Sequence, residues 1–165
     1  MSVPLMEDTM APLDRGLNVA ILHITSKLYP CGFDVAPNAS LTFPALIAQF
    51  DQRKRVKVCS EDAENTIYAD PEVTYAFRAW HDWCHWRGRL DFSLDSELAV
   101  WRMHCAQIIG LYDDNARTRR WSAILYAEIV GHLHHHRRRR CAQEQRQRAI
   151  HHSEAAHVAA PYDLT

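Results

Sequence analysis

Residues 70–87 read DPEVTYAFRAWHDWCHWR, and this stretch decides the fold. Asp70 is a suitable N-cap, Pro71 fits a first helical turn, and the acidic Glu72 complements the helix dipole. The pattern predicts a helix from Pro71 to about Arg87. Because this helix is apolar on nearly all sides, we expect it to be a central, buried element.

The rest of the chain predicts mainly helices around this centre, from apolar residues at helical spacing and from capping residues. The predicted helices cover residues 17–28 with Asp14 as cap, residues 44–50 with Thr42 as cap, residues 94–112 opened by Ser93, and a last region that starts near Arg117. The short β-branched segments Val56–Val58 and Thr66–Tyr68 predict a small hairpin. The expected fold class is therefore mainly α, a compact helical bundle-like domain with a minor β-hairpin.

Composition favours one domain over residues 1–165, since 165 residues that are 47% hydrophobic can bury a substantial core. Within it, the sequence predicts a basic C-terminal helical tail over residues 137–165. No signal peptide or membrane-spanning run is evident, and the cysteines are odd in number and widely spaced. We expect a cytoplasmic protein with reduced thiols at Cys31, Cys59, Cys84, Cys105 and Cys141.

The net charge of −1 conceals an asymmetry along the chain. Residues 1–114 carry about −6 and residues 115–165 about +5. The run Arg137, Arg138, Arg139 and Arg140 can neutralise phosphates, so a phosphorylated substrate or a nucleic acid is an expected partner of the C-terminal part. The alternative is a solvated, positively charged helix end.

A pair of histidines on the central helix carries the strongest chemical signal. His81 and His85 lie one turn apart on the same helical face, so both imidazoles can reach one metal ion. Asp82 is adjacent, where it can orient an imidazole or act as general base. The alternative is a pair of core histidines satisfied by backbone or carboxylate groups.

Two carboxylates on other helices are predicted to face the same interior. Glu97 stands at the edge of the stripe formed by Leu94 and Trp101, with His104 two turns further on, and Glu128 lies within an apolar stripe of the last helix. A carboxylate inside a core must be paired, hydrogen-bonded, protonated or bound to metal. The predicted metal ligands are His81, His85, Glu97 and Glu128, with Asp82 and Glu128 as catalytic candidates.

Mixed nitrogen and oxygen ligands from several helices are typical of bundle sites for zinc, iron or manganese. We expect one or two divalent ions. The tripeptide His134–His136 is not counted as the site, because successive residues on a helix point 100° apart.

The segments Phe77–His85 and Asp91–Ser93, the residue Glu97, and the segment Ala127–His132 together resemble a family of small phage-type proteins. The resemblance covers roughly residues 40–135 and implies no activity. It implies the cytoplasm of a host cell as location. Where that family has a glutamine after the glycine, this chain has His132.

Several enzyme classes share parts of the pattern. The motif His81-Asp82-x-x-His85 differs from the zincin peptidase motif by Asp in place of Glu. His81 and Asp82 also resemble the dyad of HD-type phosphohydrolases, which would need His23 upstream and Asp113 or Asp114 downstream. The His-x-Thr/Ser elements of 2H phosphoesterases, at His23 and His151-His152, would need strands, whereas both segments are predicted as helical.

The favoured hypothesis is a metal-dependent hydrolase that acts on a phosphorylated or nucleotide-type substrate. One alternative is a small phage-type module that binds nucleic acid or protein, with a structural metal or none. A further alternative is a non-haem iron oxidative enzyme.

Overall fold

The computed structural model describes residues 11–37, 39, 42–52 and 55–131. The prediction of a mainly α fold is confirmed, since the described residues contain five helices and one small sheet. In chain order, the elements are α1 (Arg15–Leu28), β1 (Asp34–Ala36), α2 (Phe43–Asp51), β2 (Lys57–Cys59), α3 (Pro71–Gly88), α4 (Leu94–Tyr112) and a final helix, residues 116–131.

α3 is the central element, as its sequence predicts, and it packs against α1, α2, α4 and β2. Its N-cap is Asp70, whose side chain accepts a hydrogen bond from the backbone N–H of Glu72. Trp80 and Ala79 are fully buried along the helix. A helix that is buried on several sides has little freedom to rotate, so it can hold side chains in fixed directions.

Hydrogen bonds to backbone carbonyls add to the packing of α1 on α3. The Thr25 hydroxyl donates to the carbonyl of Ala76 at 3.0 Å, and the Tyr29 hydroxyl donates to the carbonyl of Ala79 at 2.7 Å. Each bond satisfies a hydroxyl inside the interface at no cost to the helix, because a carbonyl oxygen accepts more than one bond. The register between α1 and α3 is thereby fixed.

The small sheet differs from the predicted hairpin. β1 pairs with β2 in parallel, with Asp34 opposite Lys57 and Val35 opposite Val58. α2 lies between the two strands in sequence, and a parallel pair requires a long connection of this kind. Val58 is fully buried, so the apolar part of the prediction was right while its strand partner was wrong.

The segment that was predicted to complete the hairpin is a turn that leads into α3. The Thr66 and Thr74 hydroxyls are hydrogen-bonded at 2.8 Å, and the backbone N–H of Ala69 donates to the carbonyl of Thr66. Ala69 adopts a left-handed conformation with φ of 52°. Two β-branched residues followed by a tyrosine are too short a pattern to distinguish a strand from such a turn.

The buried stripe of α4 coincides with the predicted one at Ile108 but differs from it over the first turns of the helix. Its buried residues are Glu97, Val100, His104 and Ile108, whereas Leu94 and Trp101 are only partly buried. The stripe is rotated so that Glu97 lies at its centre rather than at its edge. Two polar side chains, those of Glu97 and His104, therefore occupy core positions of α4.

The contacts divide the chain into two compact units, Met1–Leu125 and Tyr126–Thr165. The first contains α1 to α4, both strands and helical residues 116–125, and the described part of the second is helical residues 126–131. The prediction of a single domain stays a prediction. No helix in the described part of the chain combines the length and the apolar character needed to cross a membrane.

Asp14 connects the start of α1 to the last helix of the first unit. One carboxylate oxygen accepts hydrogen bonds from the backbone N–H of Leu17 at 3.0 Å and from the indole N–H of Trp121 at 3.1 Å. The other oxygen lies 3.2 Å from Nε of Arg120. One side chain thus caps a helix and satisfies the polar atom of a buried tryptophan.

Replacing Asp14 with Ala should lower the free energy of unfolding by about 2 kcal/mol, because the helix loses its cap and the Trp121 indole loses its acceptor. Urea denaturation followed by circular dichroism measures this loss. Asp14→Asn is the matched control, since its amide oxygen keeps both acceptor roles, and we expect it to lose less. Equal midpoints for Asp14→Ala and the unmodified protein would contradict this role.

Candidate metal centre

His81 and His85 lie one turn apart on α3 and turn their rings toward the same point, as their spacing predicts. Their Nε2 atoms are 3.0 Å apart, and the rings meet edge to face with centroids 4.6 Å apart. His85 is fully buried, while the side chain of His81 retains 20% of its exposure. His81 is therefore the more accessible of the two imidazoles.

Glu97 on α4 brings a carboxylate to the same point. Its Oε2 lies 3.2 Å from Nε2 of His81, and its Oε1 lies 3.4 Å from Nε2 of His85. One ligand atom from each of the three residues lies within 4.8 Å of the other two. A search of the described residues for three or more potential metal ligands this close together yields His81, His85 and Glu97.

The orientation of His85 is fixed by the turn between α3 and α4. Its Nδ1 donates to the carbonyl of Leu90 at 2.8 Å. In the neutral ring the proton is therefore on Nδ1, and the lone pair of Nε2 faces His81 and Glu97. This is the tautomer that coordination through Nε2 requires.

His81 is held from its other side by a third histidine. Nδ1 of His81 lies 3.3 Å from Nε2 of His104, which is fully buried on α4. The planes of the two rings are nearly parallel, with an interplanar angle of 7°. Each of the two α3 histidines thus uses Nδ1 for a hydrogen bond and directs Nε2 to the shared point.

Aromatic rings surround the cluster. Phe77 lies 5.8 Å from both His81 and His104 between ring centroids, and Phe92 approaches His85 edge to face at 4.9 Å. Low polarity around a site strengthens charge interactions inside it. The cluster therefore combines strong ligands with an apolar wall.

The electrostatics of the cluster follow from its burial and from the pairing of opposite charges. Burial works to raise the pKa of Glu97, but hydrogen bonds from His81 and His85 outweigh it and lower that pKa to about 2. Burial works to lower the pKa of His85, but Glu97 outweighs it and raises that pKa. The pKa of His104 is held well below its ordinary range, mainly by burial and also by the charges of His81 and His85.

Asp82 lies on the adjacent face of α3. Burial raises its pKa to about 7, against the opposing charges of His85 and Arg78. Its negative charge contributes to the raised pKa of His85. Its predicted role as a second-sphere group or general base stays a prediction.

The spacing of the donor atoms fits a single metal ion. Ligand atoms about 2.1 Å from one ion are separated from one another by roughly 3.0 Å at octahedral angles and 3.4 Å at tetrahedral angles. The three separations in the cluster, 3.0, 3.2 and 3.4 Å, span this range. The arrangement can hold an ion through two nitrogens and one or two oxygens.

His23 and Asp114 make their contacts elsewhere in the first unit, Glu128 belongs to the second unit, and the other predicted residues lie outside the described residues. Glu128 belongs to the second unit and is partly buried, and its role as a ligand stays a prediction. His23 is exposed and hydrogen-bonded to the Tyr112 hydroxyl at 2.7 Å, while Asp114 is ion-paired with Arg119. His132, His134, His135, His136, Arg137, Arg138, Arg139 and Arg140 lie outside the described residues.

Two contacts of the cluster were not predicted as parts of the site. The sequence places His104 on the same line of α4 as Glu97. Its hydrogen bond to His81, however, depends on how α4 packs on α3. The contact of Phe92 with His85 depends on the turn between these helices. Sequence periodicity gives the face of one helix and not the pairing of two faces.

The cysteines in the described part of the chain are not part of the cluster. The described cysteines Cys31, Cys59, Cys84 and Cys105 are free thiols. Cys84, the buried one on α3, lies 3.9 Å from the side-chain oxygen of Gln107. The candidate centre is thus of the histidine and carboxylate type.

Comparison of the chain with protein-family models, with curated proteins and with solved structures gave no match, so the candidate centre is interpreted from its own geometry.

Proposed function

We propose that this protein is a metal-dependent hydrolase in which His81, His85 and Glu97 bind one divalent ion. The observation that carries the proposal is the convergence of two Nε2 atoms and one carboxylate at separations of 3.0 to 3.4 Å. Carboxylate and imidazole ligands suit zinc, iron and manganese.

The number of ligands supports a catalytic site over a structural one. Structural zinc sites are closed by four protein ligands, mostly cysteines, whereas catalytic sites use three and leave a position for water. Three residues form the described cluster, and the 20% exposure of the His81 side chain leaves a route for solvent. An ion held by His81, His85 and Glu97 would lower the pKa of a bound water toward neutrality.

Asp82 is the proposed general base. A carboxyl group whose pKa is raised to about 7 exchanges protons readily near neutral pH. Its charge is coupled to those of His85 and Glu97, which places it in the electrostatic field of the centre.

A phosphorylated or nucleotide-type substrate is proposed from the charge distribution. The four arginines Arg137–Arg140 follow a chain segment that is acidic overall. Clustered guanidinium groups attract phosphates and raise their local concentration. The basic run would increase association with the substrate while the metal centre acts on it.

A non-haem iron oxidative enzyme is the second candidate. Two histidines and one carboxylate on one side of an ion are the ligand set of many iron(II) oxygenases. Phe77, which is buried and lies beside His81, also lowers the polarity next to the cluster, which suits chemistry that must limit contact with water. Selective retention of iron and dioxygen consumption by the iron-loaded protein would favour this candidate over hydrolysis.

A binding module without catalysis is the third possibility, and its predicted determinants lie in the basic run instead of the cluster. A variant with Arg137–Arg140 changed to Gln should bind a short duplex DNA more weakly and lose most of the salt dependence of binding. Gel-shift titrations at several salt concentrations measure both. His81→Ala is the control, which should bind DNA like the unmodified protein; unchanged binding by the glutamine variant would refute the proposed phosphate contacts.

Elemental analysis should find about one zinc, iron or manganese ion per chain, and a His81→Ala/His85→Ala variant should lose it, because a single remaining carboxylate holds a divalent ion weakly. Both proteins are prepared without an affinity tag. His134, His135 and His136 are changed to Gln in both, so that this run cannot contribute an ion.

The matched control is His23→Ala, which removes an exposed histidine bonded to Tyr112 and should leave the metal content unchanged. Equal metal content in the double variant and the unmodified protein would exclude the cluster as the binding site.

Hydrolysis is tested with p-nitrophenyl phosphate and bis(p-nitrophenyl) phosphate after loading with zinc or manganese. We expect Asp82→Asn to lower kcat by roughly 10²-fold or more while the bound metal stays, since the amide cannot accept the proton. Asp95→Asn, on the exposed side of the first turn of α4, is the control with expected normal rates. Normal turnover in Asp82→Asn would remove this residue from the mechanism.

A further inference from the structure

His104 occupies an unusual position beside the candidate metal centre. It is fully buried on α4, and its Nε2 lies 3.3 Å from Nδ1 of His81. The planes of the two rings are nearly parallel. Two imidazoles in this arrangement share one hydrogen, which one ring donates and the other accepts. The contact therefore constrains both the direction of the His81 ring and the nitrogen that carries its proton.

The other ring nitrogen of His104 has no hydrogen-bond partner among the residues that the structure describes. It lies in an apolar surrounding, with the Trp80 ring 4.0 Å away and the Phe77 ring 5.8 Å away between centroids. A buried polar atom without a partner destabilises a fold, and an apolar side chain of similar size would avoid this loss. Packing alone does not account for a histidine at this position.

We propose that His104 is a positioning residue for the metal centre, which holds the His81 imidazole so that its Nε2 faces the ion. The inference rests on the proposed metal site and adds a residue to it. It parallels the bond between Nδ1 of His85 and the Leu90 carbonyl, at 2.8 Å. The difference is that a carbonyl only accepts, whereas an imidazole can donate or accept.

This difference allows His104 to match two states of His81. When Nε2 of neutral His81 carries the proton and donates it to Glu97, at 3.2 Å, Nδ1 of His81 accepts from Nε2–H of His104. When Nε2 of His81 binds an ion, the proton of His81 is on Nδ1 and is donated to Nε2 of His104. The proton of His104 is then on its Nδ1. Each ring keeps one proton in both states, and only the nitrogen that carries it changes.

The experiment compares His104→Leu with His104→Gln in the full chain, again with His134, His135 and His136 changed to Gln. Zn²⁺ affinity is measured by competition with a chromophoric chelator, and the Co²⁺ absorption spectrum reports the ligand geometry. We expect His104→Leu to bind Zn²⁺ roughly 10- to 100-fold more weakly and to alter the Co²⁺ spectrum. His104→Gln should bind within a few-fold of the unmodified protein, because its amide can also donate or accept.

The stability of the metal-free protein separates positioning from a structural role. His104→Leu should have an unchanged or higher urea midpoint, since it removes the unpartnered nitrogen. A lower midpoint together with weak Zn²⁺ binding in both variants would overturn the proposal in favour of a structural role. Unchanged Zn²⁺ affinity in His104→Leu would overturn it as well.

Nitrogen-15 NMR of the unmodified protein provides a test that needs no variant at His104. Adding Zn²⁺ should move the proton of His104 from Nε2 to Nδ1, and a proton that stays on Nε2 would overturn the proposal. If the unmodified protein binds neither Zn²⁺ nor Co²⁺, the proposed metal site itself fails. Binding that does not depend on His104 would leave that site intact and remove only the positioning role.

Discussion

When two imidazoles and a carboxylate are buried together, their hydrogen-bonding groups and charges must be paired with one another. The packing of α3 against α4 depends on this requirement. An isolated charge or polar group in a core carries a free-energy penalty of several kcal/mol. His85 and Glu97 are both buried, so each needs the other, a proton or an ion. The mutual contacts of His81, His85 and Glu97 meet that need and also define the candidate centre.

The hydrogen bonds around the centre assign a distinct role to each nitrogen. The Leu90 carbonyl fixes one ring from the turn that joins the two helices, and His104 contacts the other ring from within α4. The first partner is backbone and cannot change its role as acceptor. The second is a side chain with two tautomers, so the two ligands differ in how their protonation can adjust.

The helices could be predicted from the sequence because their signals are local. Asp14, Asp70 and Ser93 are N-caps whose side chains accept bonds from the first turn, and Asp113 directly follows α4. The shared face of His81 and His85 followed from helical spacing, and the interior position of Glu97 was expected from its neighbours on α4. The caps and the histidine pair require knowledge of one helix at a time, whereas the meeting of Glu97 with the histidines requires the packing of α4 on α3.

The features that sequence reasoning missed depend on how separate elements pack. β1 had no distinctive apolar pattern, and its parallel pairing with β2 depends on the path of the chain through α2. The rotation of α4 that centres Glu97, and the contact of His104 with His81, follow from the fit of two helical surfaces. Periodicity identifies the apolar face of one helix, but which surface packs against that face depends on the whole core.

The proximity of the ligands in the chain bears on the order of assembly. All three fall between residues 81 and 97, on two consecutive helices joined by a short turn. Contacts between near neighbours in sequence form with little loss of chain entropy, and they form early when a protein folds. An ion bound by this helical pair would stabilise it before the distant contact of Asp14 with Trp121 forms, so metal availability would then affect the yield of folded protein.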